Sequence, residues 1–127
     1  MIHIRHSHTI VMVQDIRASV AFYTGLLGLS VEKDFGSFVI LEGEFALHQA
    51  QELIQTVYKE APQSASAQQG HDNLLIYFET EDLEGAYERI AAAEVRIIHP
   101  IERQHWGQLV FRFHDPDGHI VEIGEPQ

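Results

Sequence analysis

The residues with the widest chemical scope are two histidines and one glutamate spread along the chain: His8, His48 and Glu122. Neutral imidazole nitrogens and an anionic carboxylate oxygen suit Zn, Ni, Mn, Fe or Co alike, so ligand type alone does not choose between these divalent ions. Three such ligands leave half of an octahedral shell open. That is the condition for an ion that binds substrate oxygens or water during a reaction. Glu122 closes the segment His114-Asp-Pro-Asp-Gly-His-Ile-Val-Glu122. Asp-Pro-Asp-Gly is a strong turn signal because proline fixes φ and glycine accepts positive φ, so a strand carrying Glu122 is expected just after a tight hairpin.

Strands must position these groups, and their period of two makes His6, His8, Ile10 and Met12 share one face, Ala46 and His48 another, and Ile120 and Glu122 a third. A carboxylate turned inward needs a compensating charge. A metal ion would supply it; so would Arg112 across the final hairpin, with His48 then a hydrogen-bonded core histidine. Both readings stand open on the sequence. Glu122 is also the candidate catalytic base if it leaves the metal, with His105 a second candidate if its loop folds over the site. Tyr77, on the face of Leu75, Arg112, and the turn residues His105 and Trp106 are the candidate substrate contacts. His3, His6, His99, His114 and His119 fall near strand ends or turns and are expected in solvent. Phe22, Tyr23, Phe111 and Phe113 are expected in the core.

The elements come in two similar sets. Thr9-Ile-Val-Met-Val-Gln-Asp15 and Ile76-Tyr-Phe-Glu-Thr-Glu-Asp82 share one layout, the second 67 residues after the first. Each is a β-rich run ending in an aspartate that can cap a helix by accepting its free amide hydrogens. Ile16, Val20, Tyr23 and Leu27 then form one apolar stripe, and Leu83, Ala86, Tyr87 and Ile90 another. Strands are expected at 29–35, 38–41 and 45–49 in the first set and at 95–99, 109–114 and 119–123 in the second. Residues 50–59 are a candidate short helix and 61–70, rich in Pro, Ser, Ala and Gln, a candidate linker. The boundaries are then 1–50 for unit one, 51–71 for the linker and 72–127 for unit two, an α+β fold of two tandem βαβββ units.

Tandem βαβββ units, matched Asp15 and Asp82, and an Asp-Pro-Asp-Gly hairpin before a glutamate resemble the vicinal oxygen chelate superfamily. This is the glyoxalase, bleomycin-resistance and extradiol-dioxygenase group. The resemblance implies one glyoxalase-like domain over 1–127, with a curved mixed sheet around a cleft. It also implies a ligand place on each unit's first strand, seven residues before the capping position, and another on its last strand. Those places hold His8, His48, Leu75 and Glu122. Leu75 cannot ligate, which departs from the four ligands of glyoxalase I and from the histidine of extradiol dioxygenases; His71 or Asn73 could substitute only through a bulge. The implied function is a metal-dependent enzyme, a lyase, isomerase or dioxygenase, that chelates adjacent substrate oxygens. The alternative is a metal-free protein that sequesters a cationic drug, as bleomycin-resistance proteins do. A homodimer with units packed together or exchanged is implied as well.

Composition narrows the partners. A chain of 127 residues, 45% apolar and 21% charged, can bury its own core. Eight basic against 19 acidic residues give −11, which disfavours nucleic acid and anionic membranes and suits a small molecule, cationic if charge matters. Without cysteine there is neither a disulfide nor a thiolate site. No apolar leader or spanning run is present in the sequence given, and a cytoplasmic setting is the expectation.

Overall fold

Both aspartates start the helices assigned to them. Asp15 Oδ1 accepts from the amides of Arg17 and Ala18, and Asp82 Oδ1 from that of Gly85, which satisfies donors the first turn leaves unpaired. The computed structural model describes residues 2–59 and 72–127, which contain eight strands and three α-helices. In chain order these are β1 (Thr9–Val13), α1 (Ile16–Ala21), β2 (Val31–Asp34), β3 (Phe38–Leu41), β4 (Phe45–Gln49), α2 (Ala50–Tyr58), β5 (Leu75–Glu79), α3 (Leu83–Ala92), β6 (Ile97–Arg103), β7 (Leu109–His114) and β8 (Ile120–Gly124). A wider π-type turn, Phe22–Leu26, continues α1.

Two compact units result, residues 1–68 and 69–127. Each carries a four-stranded mixed sheet with the same order: β1-β4-β3-β2 in the first and β5-β8-β7-β6 in the second. In each, the first strand pairs parallel to the last and the remaining neighbours are antiparallel. The repeated order is the tandem βαβββ arrangement, an α+β fold.

One face of each sheet is apolar and covered by its helix. In unit one Val11, Val13, Leu41 and Leu47 are fully or almost fully buried, and Tyr23 meets Phe45 edge to face at 5.1 Å. In unit two Phe111, Phe113 and Val121 are fully buried, and Tyr87 of α3 meets Phe111 edge to face at 5.1 Å. Alternation then sends the other residues of each strand to the opposite face, where the site residues stand. Tyr23, Phe111 and Phe113 are core as expected; Phe22 is only half-buried.

Some boundaries differ from expectation. β6 runs to Arg103 rather than stopping near His99. It is an edge strand whose register slips between His99 and Glu102, around Pro100, and proline is tolerated at such a place because it has no ladder hydrogen to lose. The helix expected at 50–59 forms as α2, so part of the span expected to be linker is helical. The 61–70 stretch and His71 lie outside the described residues.

Candidate functional site

The register of unit two decides which side chains surround Glu122. Its cross-strand partners are Tyr77 on β5 and Arg112 on β7, and Leu75 pairs with Ile120 on the same face. Glu122 is 7% exposed. Arg112 Nε donates to its Oε1 at 2.7 Å, so the ion pair anticipated across the final hairpin is formed. Arg112 is itself held twice more, with Nη1 3.0 Å from His99 Nε2 and Nη2 donating to Gln104 Oε1 at 3.1 Å. A guanidinium cannot accept, and the Pro100 carbonyl 2.7 Å from His99 Nδ1 cannot donate, so His99 is the neutral tautomer with its proton on Nδ1. This corrects the expectation that His99 is a solvated strand-end residue.

A second polar chain lies beside the first. Gln108, 6% exposed, donates through Nε2 to the Tyr77 hydroxyl and to the Glu125 carbonyl, each at 2.7 Å, and its Oε1 accepts from Trp106 Nε1 at 2.9 Å. Tyr77 passes its own proton toward Glu79 Oε2 at 2.5 Å. The Gln108 amide lies against Gly124, where a Cβ would come within 2.5 Å of Nε2, so a larger residue there would push the amide away. His105 packs edge to face on Trp106, 4.7 Å between ring centroids. Tyr77, Trp106 and Arg112 thus belong to hydrogen-bonded networks on unit two, while His105 and Trp106 remain exposed.

The turn that launches β8 is built from more than its proline and glycine. Asp115 Oδ1 accepts from the amides of Asp117 and His119, both at 2.9 Å, and Oδ2 lies 2.9 Å from His119 Nδ1. Asp115 and His119 are each 5% exposed, which corrects the expectation of a solvated His119. Burial opposes the charged imidazolium. The hydrogen bond to Asp115 and the negative charges of Asp115 and Asp117 outweigh that, and the pKa of His119 is raised above its ordinary 6.5. One donor atom from each of Asp115, Asp117 and His119 lies within 4.8 Å of the others, a grouping that could hold a metal ion. Much of its lone-pair capacity is already used to shape the turn. His114 is half-buried and accepts from Arg96 Nε at 3.1 Å, again not simply solvated.

In unit one, His48 stacks on Phe38, 5.3 Å between centroids, and its Nδ1 lies 3.1 Å from the Gln49 carbonyl. That carbonyl can only accept, so Nδ1 carries a proton, and in the neutral ring the lone pair then lies on Nε2, the nitrogen a metal ion would use. His8 precedes β1, half-exposed, with Nδ1 2.8 Å from Ser7 Oγ. Among the described residues Nε2 of neither ring has a hydrogen-bond partner. Taken singly, the imidazoles of His8 and His48 and the Glu122 carboxylate, through the oxygen Arg112 leaves free, are donor types that suit a divalent ion, whereas exposed Leu75 offers no donor. Spacing limits the fit. His48 is level with Met12 across the parallel pair, four residues beyond His8, about 13 Å of strand. Two imidazoles share an ion over that span only if both lean along the sheet toward each other.

Sequence reasoning missed Gln108, Gln104 and the neutral His99. An amide side chain carries no signal of its own, and its role arises only from neighbours that the register supplies. Asp115 and His119 were visible as a turn. Their i,i+4 pairing was the available hint.

A family model described as a glyoxalase-like domain matches residues 6–127. Among solved structures the chain is similar to a protein of unknown function from Agrobacterium tumefaciens str. C58, with 45% identity, a TM-score of 0.90, and 100% of this chain and 98% of that one covered. It is similar to a lactoylglutathione lyase from Agrobacterium tumefaciens, with 26% identity, a TM-score of 0.70 and coverage of 93% and 90%. A glyoxalase/bleomycin resistance protein/dioxygenase from Nocardioides shares 22% identity, a TM-score of 0.75 and coverage of 98% and 85%, which speaks for the fold. No curated protein matches the chain.

Proposed function

Because the chain belongs to the glyoxalase-like family, of the vicinal oxygen chelate fold, we propose that it is a metal-dependent enzyme acting on a small molecule with two adjacent oxygens. His8, His48 and Glu122 would hold the ion. The observation that carries this reading is the state of the donors. Both histidines have Nδ1 engaged and, among the described residues, no hydrogen-bond partner at Nε2, and a buried carboxylate stands on the polar face of unit two. A bound divalent ion would supply Lewis acidity toward a carbonyl or an enediolate-like anion.

The chain's own residues would do the rest. Arg112, braced by His99 and Gln104, fixes the Glu122 carboxylate in one orientation. Gln108 and Gln127 both donate to the Tyr77 hydroxyl, whose proton is directed to Glu79, so the phenol is held in one orientation and offers its ring rather than its hydroxyl proton to a ligand. Trp106, tied to Gln108, and His105 offer an aromatic surface for the apolar part of a substrate. Glu122 is the base in this scheme if it disengages from the ion, with His105 in reserve.

One observation favours a second reading. Glu122 already has a cation in Arg112, so no metal is required to neutralise it. The alternative is a metal-free protein that binds a small molecule, and the charge of −11 suits a cationic drug.

Metal content decides between them. The untagged protein, incubated with Zn, Ni, Mn, Fe(II) and Co and desalted, should carry close to one ion per chain by plasma mass spectrometry. His48→Ala and Glu122→Gln should each lose most of it. Because of the spacing above, His8→Ala is a separate test of whether the first histidine belongs to the set. No bound metal in the wild type would leave the metal-free binder as the function.

A further inference from the structure

The reading above places a cation against Glu122, yet a cation is already there. We propose that Arg112 is the resident counter-ion of Glu122 and competes with a divalent ion for that carboxylate, so that Arg112 sets the protein's metal affinity low. The proposal rests on the metal reading for its ligand and on the geometry of unit two for its mechanism.

The pair is close and shielded: 2.7 Å between Arg112 Nε and Glu122 Oε1, with side-chain exposures of 22% and 9%. At such a site Coulombic attraction is worth more than in water, and removing one partner strands the other. The guanidinium cannot resolve the competition by losing its proton, because arginine stays charged throughout the working pH range. Nor does it swing away readily. Nε, Nη1 and Nη2 are each committed to a different residue, Glu122, His99 and Gln104, and His99 is held as an acceptor by its own bond to Pro100. A divalent ion approaching Glu122 therefore meets a fixed positive charge and must share the carboxylate with it or displace it.

The test uses the full chain as wild type, Arg112→Met, Glu122→Gln and the double variant Arg112→Met/Glu122→Gln. Melting is measured with chelator, then during titration with Zn, Ni and Mn salts, and affinities are taken from calorimetry. With chelator, Arg112→Met should melt more than about 5 °C below wild type, because it leaves a buried carboxylate unpaired. Added ion should restore most of that loss, and the ion should bind Arg112→Met about tenfold or more tightly than wild type, which is the effect of removing one neighbouring positive charge. The double variant should regain stability without gaining affinity.

If wild type and Arg112→Met bind the ion equally and Glu122→Gln abolishes binding, the competition is overturned while the metal reading stands. If neither binds any of the three ions, the metal reading and the competition both fall. Should Arg112→Met not fold, Arg112→Lys serves instead. Its compact ammonium cannot engage Glu122, His99 and Gln104 together, so its affinity should exceed that of wild type; an unchanged affinity overturns the proposal.

Discussion

Glu122 and its neighbours illustrate how one side chain acquires its chemistry from those around it. A carboxylate at 7% exposure is costly alone, and Arg112 makes it tolerable. Whether that carboxylate also ligates a metal turns on one oxygen and one neighbouring charge, which the variants at His48, Glu122 and Arg112 examine directly. His119 gives a residue-scale prediction of a different kind. Its pKa is raised in the folded chain, so the charged imidazolium is bound more tightly folded than unfolded. The associated stability is fully present below pH 6.5, the unfolded value, and is lost as pH rises through the raised folded value. Melting temperature should fall across that interval, and His119→Gln should flatten the fall relative to wild type. An equal slope in the two proteins would show that the Asp115–His119 pair contributes nothing to it.

At the scale of elements, similar aspartates have dissimilar weight. Asp82 caps α3 through a single exposed bond to Gly85, so Asp82→Ala should cost about 1 kcal/mol. Asp115 is buried, accepts two amides and pairs with His119, and it sets the turn from which β8 presents Glu122. Asp115→Ala should cost at least about twice as much, because it leaves two amides and a buried histidine without a partner. Urea unfolding of both variants measures the comparison, and equal losses would contradict it. The Asp-Pro-Asp-Gly signature was legible because proline and glycine act locally. The i,i+4 partnership inside it was not, since burial depends on what packs over the turn. β6 outruns the 95–99 expected of it for the same reason: Pro100 looks like a terminator, and only its edge position makes it harmless.

At the scale of the molecule, the two units share one βαβββ strand order, and the glyoxalase-like family membership agrees with it. The described residues contain no helix long and apolar enough to cross a membrane. Within their own units β1, β2, β5 and β6 lie at sheet edges, the kind of strand that a second copy of the chain could pair with. A homodimer is the expected assembly, and sedimentation equilibrium should return twice 14.4 kDa. A mass of 14.4 kDa at micromolar concentration would rule it out.

From its sequence alone the chain determined its repeat, its two capped helices, its strand faces and the position of Glu122 after a hairpin. Each of these follows from local periodicity, capping and turn geometry, which act within a few residues. The tertiary structure decided what could not be local. It paired Arg112 with Glu122, fixed the tautomer of His99, drew Gln108 onto Gly124 and Tyr77, and set His8 and His48 four residues apart along their sheet. Those outcomes depend on cross-strand register. Register is set by the packing of a whole face, and no short stretch of sequence carries it.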